Sequence, residues 1–105
     1  MSDGLFRVAT RHEGGRVVVE LSGELDLAGE RRLEEAIDAA CASGEPLTVD
    51  LKGLNFIDSS GLRVLVRLHN TAVTDGFEYS LIAGPPQVQR TFALCGLDRT
   101  LAFAA

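Results

Sequence analysis

Metal-binding, membrane-spanning and export signals are missing from this sequence. Its two cysteines, Cys41 and Cys95, and its two histidines do not form the CxxC or HExxH spacings of metal sites. No apolar run approaches the length that crosses a bilayer, and residues 1–7 lack the basic start and apolar stretch of a secretory leader. We therefore expect a cytoplasmic protein with reduced core cysteines, no metal ion and no membrane association.

A surplus of basic residues is also missing. Fifteen acidic against ten basic side chains give a net charge of -5, and the arginines are scattered through the chain instead of forming a stripe. This distribution disfavours direct contact with nucleic acid. The sequence also lacks a Gly-rich phosphate cradle, so we expect it to bind no nucleotide and to need no cofactor.

The chain has the composition of one soluble globular domain over residues 1–105. Apolar residues make up 46% and charged residues 24% of it, values typical of folded domains. A chain of 105 residues can bury about two-thirds of its unfolded surface in one core. There is no room for a second domain of ordinary size.

Alternating and helical apolar patterns predict an α/β order of elements. Strands are expected over residues 5–10, 16–21, 47–51 and 79–83, with a last short strand or a packed edge at 101–103. Helices are expected over 33–41, 62–73 and 86–95. His12 is predicted in the turn of an initial hairpin, and His69 at the border of a buried helix face. The expected fold is a mixed, mostly parallel sheet of about five strands, opened by a β-hairpin and packed against helices.

Residues 54–62, Leu-Asn-Phe-Ile-Asp-Ser-Ser-Gly-Leu, form the predicted junction between a strand and a helix. Asp58, Ser59 or Ser60 can each cap the unpaired N–H groups of the helix, with Gly61 in its first turn. On a structural interpretation, this cluster serves as an N-cap. On a functional interpretation, it contains a serine that can be phosphorylated, because a helix N-terminus tolerates a phosphate.

Ligand sites of open α/β sheets form where the strands end and the helices begin. Asp26 ends the second predicted strand, Ser59 follows the third, and Gly84 and Pro85 follow the fourth. We therefore expect these residues at one end of the molecule. For a protein partner, the predicted contact surface is this end together with the exposed helix side that carries Arg63 and Arg67.

Over nearly its whole length the chain resembles the STAS-domain anti-sigma factor antagonists. The resemblance rests on Gly-Glu-Leu-Asp at 23–26, Val-Asp-Leu at 49–51, Phe-Ile-Asp-Ser-Ser-Gly-Leu at 56–62, and Phe92 followed by Cys-Gly-Leu at 95–97. The Asp-Ser-Ser-Gly-Leu element in this position is the specific part. The other segments are weaker alone but occur in the order of the family.

The resemblance implies a partner-switching regulator that is not itself an enzyme. Ser59 matches the serine that a cognate anti-sigma factor, a serine kinase, phosphorylates; Asp26 and Asp58 match acidic positions beside it. Unphosphorylated, such a protein binds the kinase and frees a sigma factor. Phosphorylated, it lets go until a PP2C-type phosphatase restores the serine.

Two other functions fit parts of the sequence. A STAS domain that does not switch could be a scaffold subunit of a signalling or lipid-transport complex. A small serine hydrolase would also place a serine at a strand-to-helix turn. For the hydrolase, the Gly-x-Ser-x-Gly elbow is missing around Ser59, and His12 and His69 are the only candidate bases. We expect no catalytic residue.

Overall fold

The elements follow the predicted chain order. The computed structural model describes residues 4–105. Residues 1–3, which belong to the predicted domain and to the segment predicted to lack a secretory leader, lie outside the described residues. The elements are the strands β1 (Arg7–Glu13), β2 (Arg16–Leu25), β3 (Leu47–Ile57) and β4 (Tyr79–Ile82) and the helices α1 (Glu30–Ala42), α2 (Ser59–Asp75) and α3 (Pro86–Leu94). The sheet order is β1-β2-β3-β4, with the first pair antiparallel and the others parallel. The predicted mixed, mostly parallel α/β fold is confirmed.

A two-glycine turn closes the hairpin. Gly14 and Gly15 have φ of 59° and 76°, the left-handed pair of angles that matches the twist of hairpin strands and that glycine adopts without strain. His12 pairs with Val17 inside the ladder. The prediction of His12 in the turn is wrong, because the two glycines suffice to reverse the chain and β1 continues to Glu13.

Within residues 4–105 the sheet has four strands, where about five were predicted. At the C-terminal end, Phe103 forms an isolated parallel bridge with Leu81 of β4. The N–H of Phe103 bonds to the carbonyl of Leu101 two residues earlier at 3.0 Å, which bends the chain out of an extended path. This segment therefore packs against the sheet edge and forms no regular strand.

One hydrophobic core lies between the sheet and all three helices. Strand residues alternate between the two faces of a sheet, and Val17 and Val19 of β2 belong to the core cluster together with Leu33 of α1, Leu65 of α2 and Phe92 of α3. All five of these side chains are fully buried. Across residues 4–105, none of the helices combines the length and the apolar content that crossing a bilayer requires.

The two cysteines differ in their surroundings. Cys41, on α1, is partly buried, and burial raises the pKa of its thiol, with smaller contributions from Asp38 and Asp75. Cys95 is exposed, since α3 ends at Leu94. Both thiols are free. The prediction of two core cysteines is therefore wrong for Cys95.

Tyr79 joins the C-terminal half of α2 to the sheet and to the C-terminal segment. Its hydroxyl accepts the N–H of Ala102 at 3.0 Å and shares a hydrogen bond of 2.7 Å with Nδ1 of His69. The two rings also meet edge to face at 5.7 Å. The prediction that His69 is a satisfied histidine at the border of the core is confirmed.

The ionisation of Tyr79 gives a direct test of this packing. Burial raises the pKa of the phenol, although the hydrogen bond from Ala102 lowers it. The folded protein therefore holds the phenol proton more tightly than the unfolded chain. Stability from this source is fully present below the ordinary tyrosine pKa of about 10 and is lost as the pH rises through the higher folded value.

Tyr79 is the only tyrosine, and the chain has no tryptophan, so phenolate absorbance reports on this residue alone. We expect the titration midpoint of the native protein to lie above that of the protein unfolded in urea. The same midpoint in both states would contradict the burial of the phenol.

Candidate functional site

Asp58 caps the helix that follows β3. Its backbone is extended (φ -113°, ψ -171°), and its Oδ1 accepts the N–H of Ser60 at 2.9 Å and that of Gly61 at 3.4 Å. These donors belong to the first turn, where N–H groups have no intrahelical acceptor. Of the three residues that could cap the helix, Asp58 is therefore the one that does. Ser60 lies inside the first turn, and its own N–H donates to the cap.

The two serines of the junction differ in accessibility. Ser59, the first residue of α2, is exposed, whereas Ser60 is only 7% exposed. An enzyme that modifies a hydroxyl must bring its reacting group to within bonding distance of the oxygen. Of the two hydroxyls, that of Ser59 is therefore the accessible acceptor.

Asp26 lies at the neighbouring strand end, as predicted. Leu25 and Ile57, the last residues of β2 and β3, are paired, and the N–H of Asp58 donates to the carbonyl of Leu25 at 3.1 Å. Asp26 and Asp58 thus follow two strand ends that are held side by side. Oδ1 of Asp26 accepts the N–H of Ala28 at 3.0 Å and caps a short 3₁₀ turn that precedes α1.

Gly84 and Pro85 do not reach this junction. β4 ends at Ile82, which pairs with Asp50, so the end of β4 lies about 20 Å short of the end of β3 along the strand. A Cβ built on Gly84 would lie 3.0 Å from the carbonyl oxygen of Leu51, which places Gly84 beside the middle of β3. The prediction that all three strand ends meet is therefore wrong for β4, because β3 is much longer than the predicted 47–51.

Gly61 holds the start of α2 against the sheet. A Cβ built on this residue would lie 2.7 Å from Cδ2 and Cγ of Leu25 and 2.9 Å from Cγ1 of Ile57. These distances are shorter than any normal contact between carbon atoms. The missing side chain therefore lets the first turn rest directly on the ends of β2 and β3, where it presents Ser59 beside the two aspartates.

Arg63 and Arg67 connect α2 to α1. Nη1 of Arg63 lies 3.6 Å from Oε1 of Glu30, and Nη1 of Arg67 donates to Oε2 of Glu34 at 3.0 Å. The hydrogen bond to Glu34 is the main reason that the pKa of Arg67 is raised. The two arginine side chains keep 63% and 57% of their surface exposed. Glu30 and Glu34 are partners that the sequence pattern did not predict, although their four-residue spacing matches that of the arginines.

Neither histidine is near the exposed serine. His12 lies on β1 at the level of Leu47, the first residue of β3, and Tyr79, the partner of His69, pairs with Leu47 as well. Ser59 follows the opposite end of β3, about 30 Å from the level of His12. His69 lies on α2 itself, ten residues after Ser59, which is about 15 Å along the helix axis. The structure therefore brings no histidine to Ser59 that could act as a general base, as the hydrolase hypothesis requires.

Two large apolar side chains near the junction are exposed to solvent. Leu27, in the turn after Asp26, is 70% exposed, and Phe56, two residues before Asp58, is 48% exposed. Neither residue was predicted as part of a surface. The signal for Phe56 is a break in the strand pattern, since Leu54 and Ile57 are buried but Asn55 and Phe56 are not.

The fold and the site together define a small α/β domain that presents a serine hydroxyl at a helix start, beside two aspartates. A family model described as "Mlab, STAS domain" matches residues 8–102. The chain therefore belongs to the STAS domain family.

Proteins similar to this chain carry consistent names. The anti-sigma F factor antagonist of Paenibacillus polymyxa is 31% identical over 98 residues, which cover 91% of this chain and 84% of that protein. The anti-sigma-F factor antagonist RsfB of Mycobacterium tuberculosis is 30% identical over 94 residues, covering 89% and 76%. The solved structure of an anti-sigma factor antagonist from Mycobacterium paratuberculosis has a TM-score of 0.83 at 27% identity, covering 97% of this chain and 87% of that one.

Substitution of Gly61 tests the contact that positions the site. We expect Gly61→Ala to lower the free energy of unfolding by about 1 to 3 kcal/mol, because the new methyl group overlaps Leu25 and Ile57. The measurement is urea unfolding. Asn70→Ala, an exposed change on the same helix, is the control and should leave stability unchanged or slightly raised. Equal stability of Gly61→Ala and the parent protein would contradict the close contact.

Substitution of Asp58 tests the cap. We expect Asp58→Ala to lower the free energy of unfolding by about 1 kcal/mol, because two N–H groups of the first turn lose their acceptor. Ser60→Ala should cost less, since Ser60 is not the cap and alanine is the better helix former. Thermal and urea unfolding of both variants make the comparison. A larger loss of unfolding free energy for Ser60→Ala than for Asp58→Ala would contradict the assignment of Asp58 as the cap.

Proposed function

We propose that this protein is an anti-sigma factor antagonist that switches partners through Ser59. Unphosphorylated, it binds a cognate anti-sigma factor that is also a serine kinase, and the sigma factor is released. The observation that carries the proposal is the exposed hydroxyl of Ser59 at the first position of α2, beside Asp58 and Asp26. Membership of the STAS domain family and the names of the similar proteins support the same function.

The partner surface that we propose combines polar and apolar groups around this hydroxyl. Arg63 and Arg67 continue along the exposed side of α2, one and two turns after Ser59. Leu27 and Phe56 add exposed apolar area near the same end. Large side chains that are partly exposed before binding are typical centres of protein interfaces. The proposed partner is thus a protein surface with an apolar centre.

Phosphorylation transfers the γ-phosphoryl group of ATP to Oγ of Ser59. The new O–P bond forms as the β–γ anhydride bond breaks, ADP leaves, and the hydroxyl proton passes to a base of the kinase. A PP2C-type phosphatase reverses the modification with water, which returns the hydroxyl and releases inorganic phosphate. This cycle requires no catalytic residue and no cofactor in the STAS domain itself.

The charge of the phosphate is large enough to release a partner. A phosphoserine carries about -1.5 to -2 charges, and two unit charges 4 Å apart interact by about 4 kcal/mol near a protein surface. Each 1.4 kcal/mol changes an affinity about tenfold. Part of that repulsion at a packed interface therefore suffices. The helix start accommodates the phosphate without refolding, because its N-terminal end favours negative charge.

The same proposal places the protein in the cytoplasm, where sigma factors and their kinases act, with one STAS domain over residues 1–105. A scaffold that does not switch remains the alternative function. It would use the same fold and bind its partner through the same end, with Ser59 serving only as the first residue of the helix.

Incubation with candidate anti-sigma factor kinases and ATP tests the switch. We expect intact mass and site mapping to find one phosphate, on Ser59, and the complex with the kinase to weaken at least tenfold. Ser59→Ala should bind the kinase and take up no phosphate. Ser60→Ala, with Ser59 intact, is the matched control and should still be phosphorylated.

Two outcomes would count against the proposal. Phosphate uptake by Ser59→Ala would assign the modification to another residue. Stable binding of an anti-sigma factor without any phosphate on the parent protein would support the scaffold instead.

A further inference from the structure

Two ion pairs between α1 and α2 repeat with the same spacing. One pair is Arg63 with Glu30 and the other is Arg67 with Glu34, and in each pair the two residues are 33 positions apart in the chain. Within each helix the members are four residues apart, about one turn. The two helices therefore present matched rows of charge, which we call the arginine–glutamate ladder, with one rung at Arg63–Glu30 and the next at Arg67–Glu34.

Ser59 and Asp26 occupy the position of the next rung. Ser59 comes four residues before Arg63, and Asp26 four residues before Glu30, so these two residues have the same separation of 33. The pairing of Leu25 with Ile57 holds the two strand ends together at this level. Asp26 supplies the carboxylate of a rung, as Glu30 and Glu34 do. On the α2 side, however, the rung carries a hydroxyl and no cation.

We propose that Arg63 is the ion-pair partner of a phosphate on Ser59, and that it leaves Glu30 to take this role. The proposal rests on the proposed function in one respect, that Ser59 is the residue that becomes phosphorylated. Residues at i and i+4 of a helix lie on one face, and an acidic group four residues before a basic one is the favourable arrangement. Side chains of a helix also lean towards its N-terminus, which directs Arg63 towards Ser59.

The existing contact of Arg63 is weak enough to be exchanged. The gap of 3.6 Å between Arg63 and Glu30 is longer than a hydrogen bond, and the arginine side chain is 63% exposed. Arg67 and Glu34 lie closer, at 3.0 Å, with a formed hydrogen bond. The Glu30 side chain is only 18% exposed, but without a hydrogen bond and with an exposed arginine the pair contributes little. A phosphate, in contrast, offers a guanidinium two parallel hydrogen bonds and a second negative charge.

The other charged side chains near Ser59 are acidic, so the positive charge of Arg63 has a distinct effect on the phosphate. Asp58, the cap, and Asp26, at the neighbouring strand end, both place carboxylates near the modified serine, and Glu30 lies one rung below. All three are acidic and oppose a second ionisation of the phosphate. The N-terminal end of α2 favours it, and Arg63, one turn along the helix, is the nearby side chain that does so. On phosphorylation Glu30 loses its partner, so the added negative charge extends from Ser59 to the first turn of α1.

The second pKa of the phosphate measures this contact directly. The protein is made with phosphoserine installed at position 59 during translation, so no kinase is needed, and the phosphorus NMR signal is followed from pH 4 to 9. An unperturbed phosphoserine has a second pKa of about 6. We expect Arg63→Met to raise the value by about 0.3 to 0.5 unit relative to the parent protein. Arg63→Lys should restore part of the difference.

Arg67→Met is the matched control. It removes the same charge from the next rung, one turn further from the phosphate, and should shift the value by less than a third as much. Equal shifts for Arg63→Met and Arg67→Met, or none for either, would overturn the proposal. Circular dichroism of each variant verifies that the fold is retained.

The NMR signal of the Arg63 guanidinium gives a second readout. It should move between the unmodified and phosphorylated proteins, while that of Arg67 stays in place. An unmoved Arg63 signal would also overturn the proposal. Because the phosphate is installed without a kinase, these results stand apart from whether any anti-sigma factor phosphorylates Ser59.

Discussion

The contact of Gly61 with Leu25 and Ile57 is the constraint on which the site depends. A strand-to-helix junction can place its helix at many heights above a sheet. Here the lack of a side chain lets the first turn of α2 rest directly on two paired strand ends. This close approach brings the serine hydroxyl on α2 and the aspartate that follows β2 to one small area, although they are far apart in the chain.

Neighbouring residues at this contact have different roles. The carboxylate of Asp58 satisfies the first N–H groups of the helix, so the helix does not require the hydroxyl of Ser59. Ser60, one position later, is buried with the first turn. A residue that is exposed and not needed for folding can be modified without loss of the fold. The same short motif therefore contains both the residue that caps the helix, Asp58, and the residue that can be modified, Ser59.

The sequence predicts the order of elements well because apolar periodicity reflects burial directly. It predicts the junction and the nearness of Asp26 because parallel strands end at the same side of a sheet. It fails where a feature depends on how far strands extend. Lys52 and Gly53 have the composition of a connection, yet β3 continues through them and leaves the end of β4 behind. The pairing of Arg63 with Glu30 likewise depends on the relative height of two helices, which no local pattern contains.

Tyr79 lies at the end of the sheet remote from Ser59, where it holds α2, β4 and the C-terminal segment together. It is also the one strong ultraviolet chromophore of a chain without tryptophan. Its fluorescence should therefore change on unfolding and should not change when Ser59 is phosphorylated or a partner binds beside it. The molecule thus carries an intrinsic optical label for its folded state, and assembly with a partner can be followed separately through a dye placed elsewhere.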